Sequence, residues 1–447
     1  MKSPAPGPKG YPLVGVVPFM IRHGAEYLLS VFQRYGDVAE LKLLGPMRMF
    51  LISHPEDVEY VLRKNHRNFL VKRPSMHLEA MMGIGLTLSN GDLWVQQHRL
   101  MQPAFHRQKI EASVASTVSQ VAERIRHWGT AGPIDLASEM EQLSLSAMLG
   151  ALFGSGIKES ETRRITDAVG LVLSVAGRGM FLEVPPFIPT PENLRVKRAL
   201  KDLTQVVLGL IEQRRQASGE EQRQDLLSLL LEAHDEAASM SEQQLRDEVT
   251  SLLVAGFEST AVTLTWTFYL LAQNPEVEER LRQEIGTVLG DRAPALADLP
   301  SLEYLSQVIA EAMRVYPAFW AMTRQTIADD EIGGYSIPAK SLIVVSPFVT
   351  HKHPGFWEEP DHFDPDRFSP ERSAGRHRFA YFPFGAGPRV CIGERQAQMV
   401  LRLGVVTILQ RYRLQPVPDH PVEIHTAMTI RPKYGMLMQV SPAGFQG

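Results

Sequence analysis

One cysteine occurs in 447 residues, and it lies in the run Phe384-Gly385-Ala386-Gly387-Pro388-Arg389-Val390-Cys391-Ile392-Gly393. A lone free cysteine is ordinarily a small, inert core residue. Here Gly387 and Gly393 flank the sulfur. Residues without a Cβ suit a backbone that must approach something flat and bulky. Arg389 adds a fixed cation two residues before the sulfur, suited to a carboxylate of a bound group.

Three further clusters have residue types that could do chemistry. Ala255-Gly256-Phe257-Glu258-Ser259-Thr260 sits inside an otherwise apolar segment. A mid-helix glycine costs about 1 kcal/mol relative to alanine, so it invites a reason. A buried acid and two hydroxyls are costly unless paired or solvated; the plain alternative for the hydroxyls is bonding back to helix carbonyls. Glu311 and Arg314 are three apart on a predicted helix and can pair on one face. Such a pair on a surface is worth under about 1 kcal/mol. Trp94 and His98, four apart, share a helical face, and could equally be a core tryptophan and a surface histidine.

The elements that must position these groups are mostly helical. An extended arm over Pro4–Gly15 leads to a helix expected over Ala25–Tyr35. Asp37–Ser53 alternates as a β-hairpin turning at Gly45-Pro46, and Pro55 opens a helix towards Asn65. Val71–Asn90 shows no period and reads as a loop. Helices are expected from Gly91, then over Lys109–His127, Ala137–Phe153, Glu161–Ala176, Glu192–Ala217 and Asp225–Glu236. A long helix starts after Ser241 and stops at Asn274-Pro275; its roughly 32 residues at 1.5 Å each would cross a whole domain. Pro275–Leu289, Leu302–Val315 and Glu394–Arg411 complete the helices. Glu331–Pro338 reads as a hairpin, Ser341–Ser346 as a strand and the C-terminal remainder as short strands.

Composition narrows the function classes. A net charge of −4 gives no basic surface for nucleic acid. One cysteine excludes an intrachain disulfide, a four-thiolate iron–sulfur cluster and a zinc ribbon. The N-terminus lacks the apolar stretch of a signal peptide. Ser251–Ala272 is long enough to span a bilayer, but its hydroxyls and Glu258 favour a buried core helix. The expectation is therefore a cytoplasmic protein without a membrane anchor, with residues 1–447 as one domain. No complete Gly-x-Gly-x-x-Gly follows a strand, so no nicotinamide or flavin site and no fused reductase are expected.

The cysteine run resembles the haem-thiolate loop of the cytochrome P450 family, Phe-x-x-Gly-x-Arg-x-Cys-x-Gly, and the resemblance extends over essentially the whole chain. It implies a mainly α fold with small β-sheets and haem b (iron protoporphyrin IX) between the long central helix and the cysteine loop. Cys391 would be the axial thiolate, an electron donor that favours O–O cleavage; iron binding would remove its proton. Trp94, His98, Arg324 and Arg389 would anchor the propionates, although many relatives carry arginine where His98 stands. Glu258 with Ser259 or Thr260 would relay protons during oxygen activation, in a helix that opens there; threonine is customary at the position of Ser259. Glu311 and Arg314 would be buried together with Arg367 of Pro365-Asp366-Arg367-Phe368. Val71–Asn90 would be a substrate-recognition loop and Arg178–Pro191 a lid. The pocket residues implied are Met81, Met82, Ala255, Phe257, Phe319, Trp320, Met322 and Met428, several of which could instead pack the core.

The activity implied is insertion of one oxygen atom of O2 into a lipophilic molecule such as a terpenoid, fatty acid or polyketide, by hydroxylation or epoxidation, in a monomer. Electrons would come from a separate ferredoxin or flavodoxin with its reductase. His98, Arg99, His106, Arg107, Lys109 and Arg395 would form a basic docking patch. A peroxide-driven peroxygenase of the same fold and a non-catalytic haem sensor are the alternatives; the acid–hydroxyl pair argues against both.

Overall fold

The structure, a computed structural model, describes residues 4–72, 75–105, 111, 114–129, 132–153, 159–179, 183–216, 226–237 and 240–443. Its axis is the 32-residue helix Glu242–Gln273, called the central helix below. Ser241 caps it by accepting a hydrogen bond from the Gln244 N–H at 3.2 Å, and Pro275 begins the next helix directly beyond it. Its middle is buried on nearly all sides, from Leu245 to Leu271. Surface of that kind reads as membrane-like in sequence because a fully enclosed helix has no polar face. Among the described residues no helix is long and apolar enough to cross a membrane.

The central helix packs along Leu136–Phe153 and against Glu394–Leu409, the helix that follows the cysteine loop. Gly256 has its own reason in this packing. A Cβ there would fall 1.6 Å from the methyl of Met148, which already fills that space.

The main sheet has five strands in the order Val38–Lys42, Arg48–Ile52, Leu342–Val345, Met322–Thr326, Phe69–Val71. Arg48–Ile52 and Leu342–Val345 run parallel; the other neighbours are antiparallel. This sheet carries Arg324 to the cavity described below. Three smaller sheets, of two, two and three strands, complete the β structure among the described residues.

Two expected boundaries differ. The first helix begins at Val17, not Ala25, and bends at Gly24, whose φ of +45° and contact with Thr426 exclude a side chain. The stretch Val71–Asn90, expected as a loop, contains the helix Met76–Met82. Ser75 caps its start by accepting from the N–H groups of His77 and Leu78, and Glu183, more than a hundred residues away, also accepts from the N–H groups of Met76 and His77. Local sequence carries no trace of such a partner. The lid stretch Arg178–Pro191 is described only in part, as is Lys109–His127, and the polar turn expected over Ser218–Gln224 lies outside the described residues.

Candidate active site

A cavity of about 830 Å³ lies between the central helix and the cysteine loop. Cys391 opens onto it, with Ala255, Gly256, Ser259 and Thr260 of the central helix also in its wall. The loop is closed by a hydrogen bond from the Cys391 N–H to the Phe384 carbonyl at 2.9 Å. Gly387 has φ +71°, and a Cβ on it would lie 2.0 Å from the Leu62 carbonyl oxygen. Glycine is thus required by a neighbouring backbone and a left-handed conformation. The expectation that it makes room for a flat bound group misplaced the reason. At Gly393 a Cβ would make only ordinary contacts, 3.7 Å from Phe105 and 4.0 Å from the Cys391 sulfur.

The sulfur is exposed only in the sense that it faces the cavity; protein encloses it elsewhere. Burial pushes the Cys391 thiol up, opposed by the Gly393 N–H directed at the sulfur and reinforced by Glu394. The free thiol therefore keeps its proton at neutral pH, and a metal cation would displace it.

Four polar side chains expected around a bound carboxylate do gather on this cavity: Trp94, His98, Arg324 and Arg389. The Arg389 guanidinium lies 4.1 Å from the centre of the Trp94 ring and donates to the Ser89 carbonyl at 2.9 Å. Trp94 and His98 rings are 5.0 Å apart. Arg324 donates to its neighbour's carbonyl, Thr323 O, at 2.9 Å. Among the described residues neither arginine has a carboxylate partner. Burial pulls Arg324 down to about 10, and burial together with Arg324 does the same to Arg389. Burial and then Arg389 lower His98, which favours its neutral form. Two half-buried cations without an acid between them, among the described residues, favour an anion. A group carrying two carboxylates and a metal that takes a thiolate would fit this donor set, as haem does.

The acid of the central helix is placed differently. Glu258 is buried but does not line the cavity. Its carboxylate accepts from Thr429 Oγ1 at 2.7 Å and from Arg431 Nε at 2.6 Å, and Arg431 Nη2 meets its second oxygen. Arg431 also reaches Glu141 at 3.2 Å. Burial, against the pull of Arg431, raises Glu141 to about 7. None of Glu141, Thr429 and Arg431 had a local signal in the sequence, because they meet from three distant segments.

Ser259 and Thr260 both reach the cavity, each bonded back one turn: Ser259 Oγ to Ala255 O at 2.9 Å and Thr260 Oγ1 to Gly256 O at 2.8 Å. The helix stays helical through this stretch rather than opening. Of the expected pocket residues, Ala255, Phe319, Trp320, Met322 and Met428 line the cavity. Met81, Met82 and Phe257 do not; they are buried in a neighbouring hydrophobic cluster with Leu78, Leu88 and Leu253. Met148, which the sequence did not single out, is in the wall beside Gly256.

Below the site, Glu311 and Arg314 form a fully buried two-pronged pair with both N–O distances at 2.7 Å. Arg367 approaches Glu311 at 3.4 Å and donates to the Glu358 and Glu359 carbonyls. Arg314 spends its remaining donors on the carbonyls of His351, Pro360 and His362. Every strand of this knot ends on backbone of the segment leading to the cysteine loop. Of the expected docking patch, Arg99 and Arg395 are exposed, whereas His98 is in the cavity wall; His106, Arg107 and Lys109 lie outside the described residues.

Comparison with known proteins agrees with this geometry. The sequence profile of the family described as Cytochrome P450 matches residues 5–440. The cyclooctat-9-en-7-ol 5-monooxygenase of Streptomyces melanosporofaciens is 36% identical over 419 residues, covering 92% of this chain and 89% of its own. The pentalenene oxygenase of Streptomyces avermitilis is 34% identical over 419 residues, covering 93% and 92%. In three dimensions the chain is similar to a cyanobacterial structure, retinoic acid bound CYP120A1, with a TM-score of 0.88 over 99% of this chain and 100% of that one. At 23% identity that likeness speaks for the fold alone.

Proposed function

Since the chain belongs to the cytochrome P450 family and is a P450 monooxygenase, we propose that it inserts one oxygen atom of O2 into a cyclic, largely hydrocarbon molecule of terpenoid type. The observation that carries this reading is the sole cysteine opening onto the same cavity as two half-buried arginines that lack acid partners among the described residues. Two relatives whose names specify cyclooctat-9-en-7-ol and pentalenene support the substrate class. So does the wall of Ala255, Phe319, Trp320, Met322 and Met428, in which methionines let a pocket adapt to irregular shapes.

Cys391 would ligate the haem iron, and Arg324, Arg389, His98 and Trp94 would hold its propionates. The bound haem would supply oxygen activation. The chain's own part is to exclude water with the apolar wall, to orient the substrate, and to hold protons at the Ser259 and Thr260 hydroxyls. Glu258 can feed those hydroxyls only after giving up Arg431, so proton delivery is gated by that ion pair. Electrons would arrive from a separate ferredoxin or flavodoxin and its reductase. Residues 1–447 would work as one domain, in the cytoplasm.

Thiolate ligation is tested directly. Reduced protein exposed to carbon monoxide should show the strongly red-shifted Soret band of a thiolate-bound haem, and Cys391→Ala should lose it. Retention of the band in the variant would overturn the assignment.

A further inference from the structure

Glu183 is the one carboxylate, among the described residues, that lines the cavity. It belongs to the segment ahead of the helix Pro191–Gln216, while the facing wall holds Met76 and Leu78 from the helix Met76–Met82. Between those two wall residues lies His77, only 1% exposed. Nothing in the proton relay or in the cofactor site uses it.

The hydrogen bonds around His77 settle where its protons are. The Asn193 amide nitrogen donates to the Pro185 carbonyl at 2.8 Å and to the Ile188 carbonyl at 2.9 Å. That fixes the amide's orientation and leaves its oxygen, 2.9 Å from His77 Nε2, as an acceptor. Nε2 must carry a proton. On the other side of the ring, Nδ1 faces Glu183 Oε1 at short range. Glu183 Oε1 also accepts from Ser75 Oγ at 2.6 Å and from the His77 N–H at 2.9 Å, and Oε2 accepts from the Met76 N–H at 2.7 Å. Burial alone would raise this acid, but those donors outweigh it and hold Glu183 below the usual carboxylate range. An ionised carboxylate only accepts, so Nδ1 must be protonated as well. A ring with both nitrogens protonated is a cation.

We propose that His77 and Glu183 form a buried imidazolium–carboxylate latch that positions Met76 and Leu78 against the segment carrying Glu183, and so determines which apolar molecules the cavity retains. The pair joins two parts of the chain that have no sheet or disulfide between them, and its other partners are the Ser75 hydroxyl, two backbone N–H groups and Asn193. Removing one member of a buried ion pair leaves the other charge uncompensated. Both residues therefore act through the wall they hold, as positioning residues, and the latch rests on the reading of this cavity as the substrate site.

Two measurements test it. In the diamagnetic ferrous carbon monoxide form, nitrogen NMR of the histidine rings at pH 7 should show both His77 nitrogens protonated. A neutral His77 ring would overturn the latch, whatever the variants do. Separately, the dissociation rate of 4-phenylimidazole, an apolar azole, is followed optically in holoenzyme. His77→Gln and Glu183→Gln should each release it at least about tenfold faster, and the double variant should be no worse than the poorer single one, as expected for members of one pair. Wild-type rates in both single variants would equally overturn it. If wild-type holoenzyme responds to neither this azole nor any terpenoid, the substrate-site reading fails instead, and the ring nitrogens still decide whether the ion pair exists.

Discussion

Ser259 and Thr260 differ by one methyl and one step of a helix, and both hydroxyls face the cavity while bonded to carbonyls a turn earlier. The acid–hydroxyl order of the family would give proton delivery to Ser259, and we propose that role for it. Serine keeps the donor and acceptor of threonine but lacks the methyl that restricts its rotamers. We expect Ser259→Ala to raise peroxide released per NADH consumed and to cut product, and Ser259→Thr to keep or improve coupling. Thr260→Ala should alter substrate affinity more than coupling. Uncoupling by Thr260→Ala with none from Ser259→Ala would exchange the roles. Spacing made these two residues legible. It could not reveal that Glu258 is held by Arg431 and Thr429, since that contact joins positions more than 170 residues apart. Gly387 teaches the complementary lesson: its residue type was readable, but its cause, the carbonyl of Leu62, lies in another segment.

At the scale of elements, the central helix was legible at both ends because its signals are local: Ser241 as cap and Asn274-Pro275 as stop. The hairpin around Gly45 was legible for the same reason. The helix Met76–Met82 has a local cap in Ser75 that passed unread, and a distant support in Glu183 that no local pattern shows. Two element junctions lend themselves to measurement. Glu311→Ala strands Arg314 and Arg367 without their acid in a dry site, and breaking a buried pair costs about 3–5 kcal/mol. Poor folding or haem loss is expected; a haem-replete variant at wild-type yield would contradict the importance of the pair. Glu248, buried on the central helix, accepts from the Leu86 N–H at 2.9 Å, and its other oxygen lacks a hydrogen-bond partner among the described residues. Burial raises its pKa from 4.5 to about 7 despite that bond, with Asp247 adding to the rise. Between those two values the folded protein binds a proton that the unfolded chain has released, so stability falls as pH rises through this window. At 1.36 kcal/mol per unit the loss reaches up to about 3 kcal/mol by pH 8. Glu248→Gln should therefore match wild type in thermal melting at pH 5 and exceed it at pH 8. An equal difference at both pH values would show that Glu248 does not hold that proton.

The whole molecule carries a net charge of −4, so an acidic electron donor gains nothing from the overall field and must find a local cationic face. Arg99 and Arg395 are exposed, with Arg395 directly after the cysteine loop in the first turn of its helix. Close by, Arg378 and Arg402 line a smaller hollow of about 330 Å³ together with Phe384 of the cysteine loop and with Glu394. His98 takes no part in this surface, since it faces the cavity. Exposed charges act over roughly a Debye length, about 10 Å at 0.1 M salt and about 3 Å at 1 M. Reduction by an acidic ferredoxin should therefore slow steadily as ionic strength rises, with the change in association rate. Arg395→Glu should reproduce at low salt the slow rate that wild type shows at high salt, while leaving the carbon monoxide spectrum unchanged. Reduction rates indifferent both to ionic strength and to Arg395→Glu would remove electrostatic docking on this face and leave apolar contact around Phe384 as the means by which a partner is held.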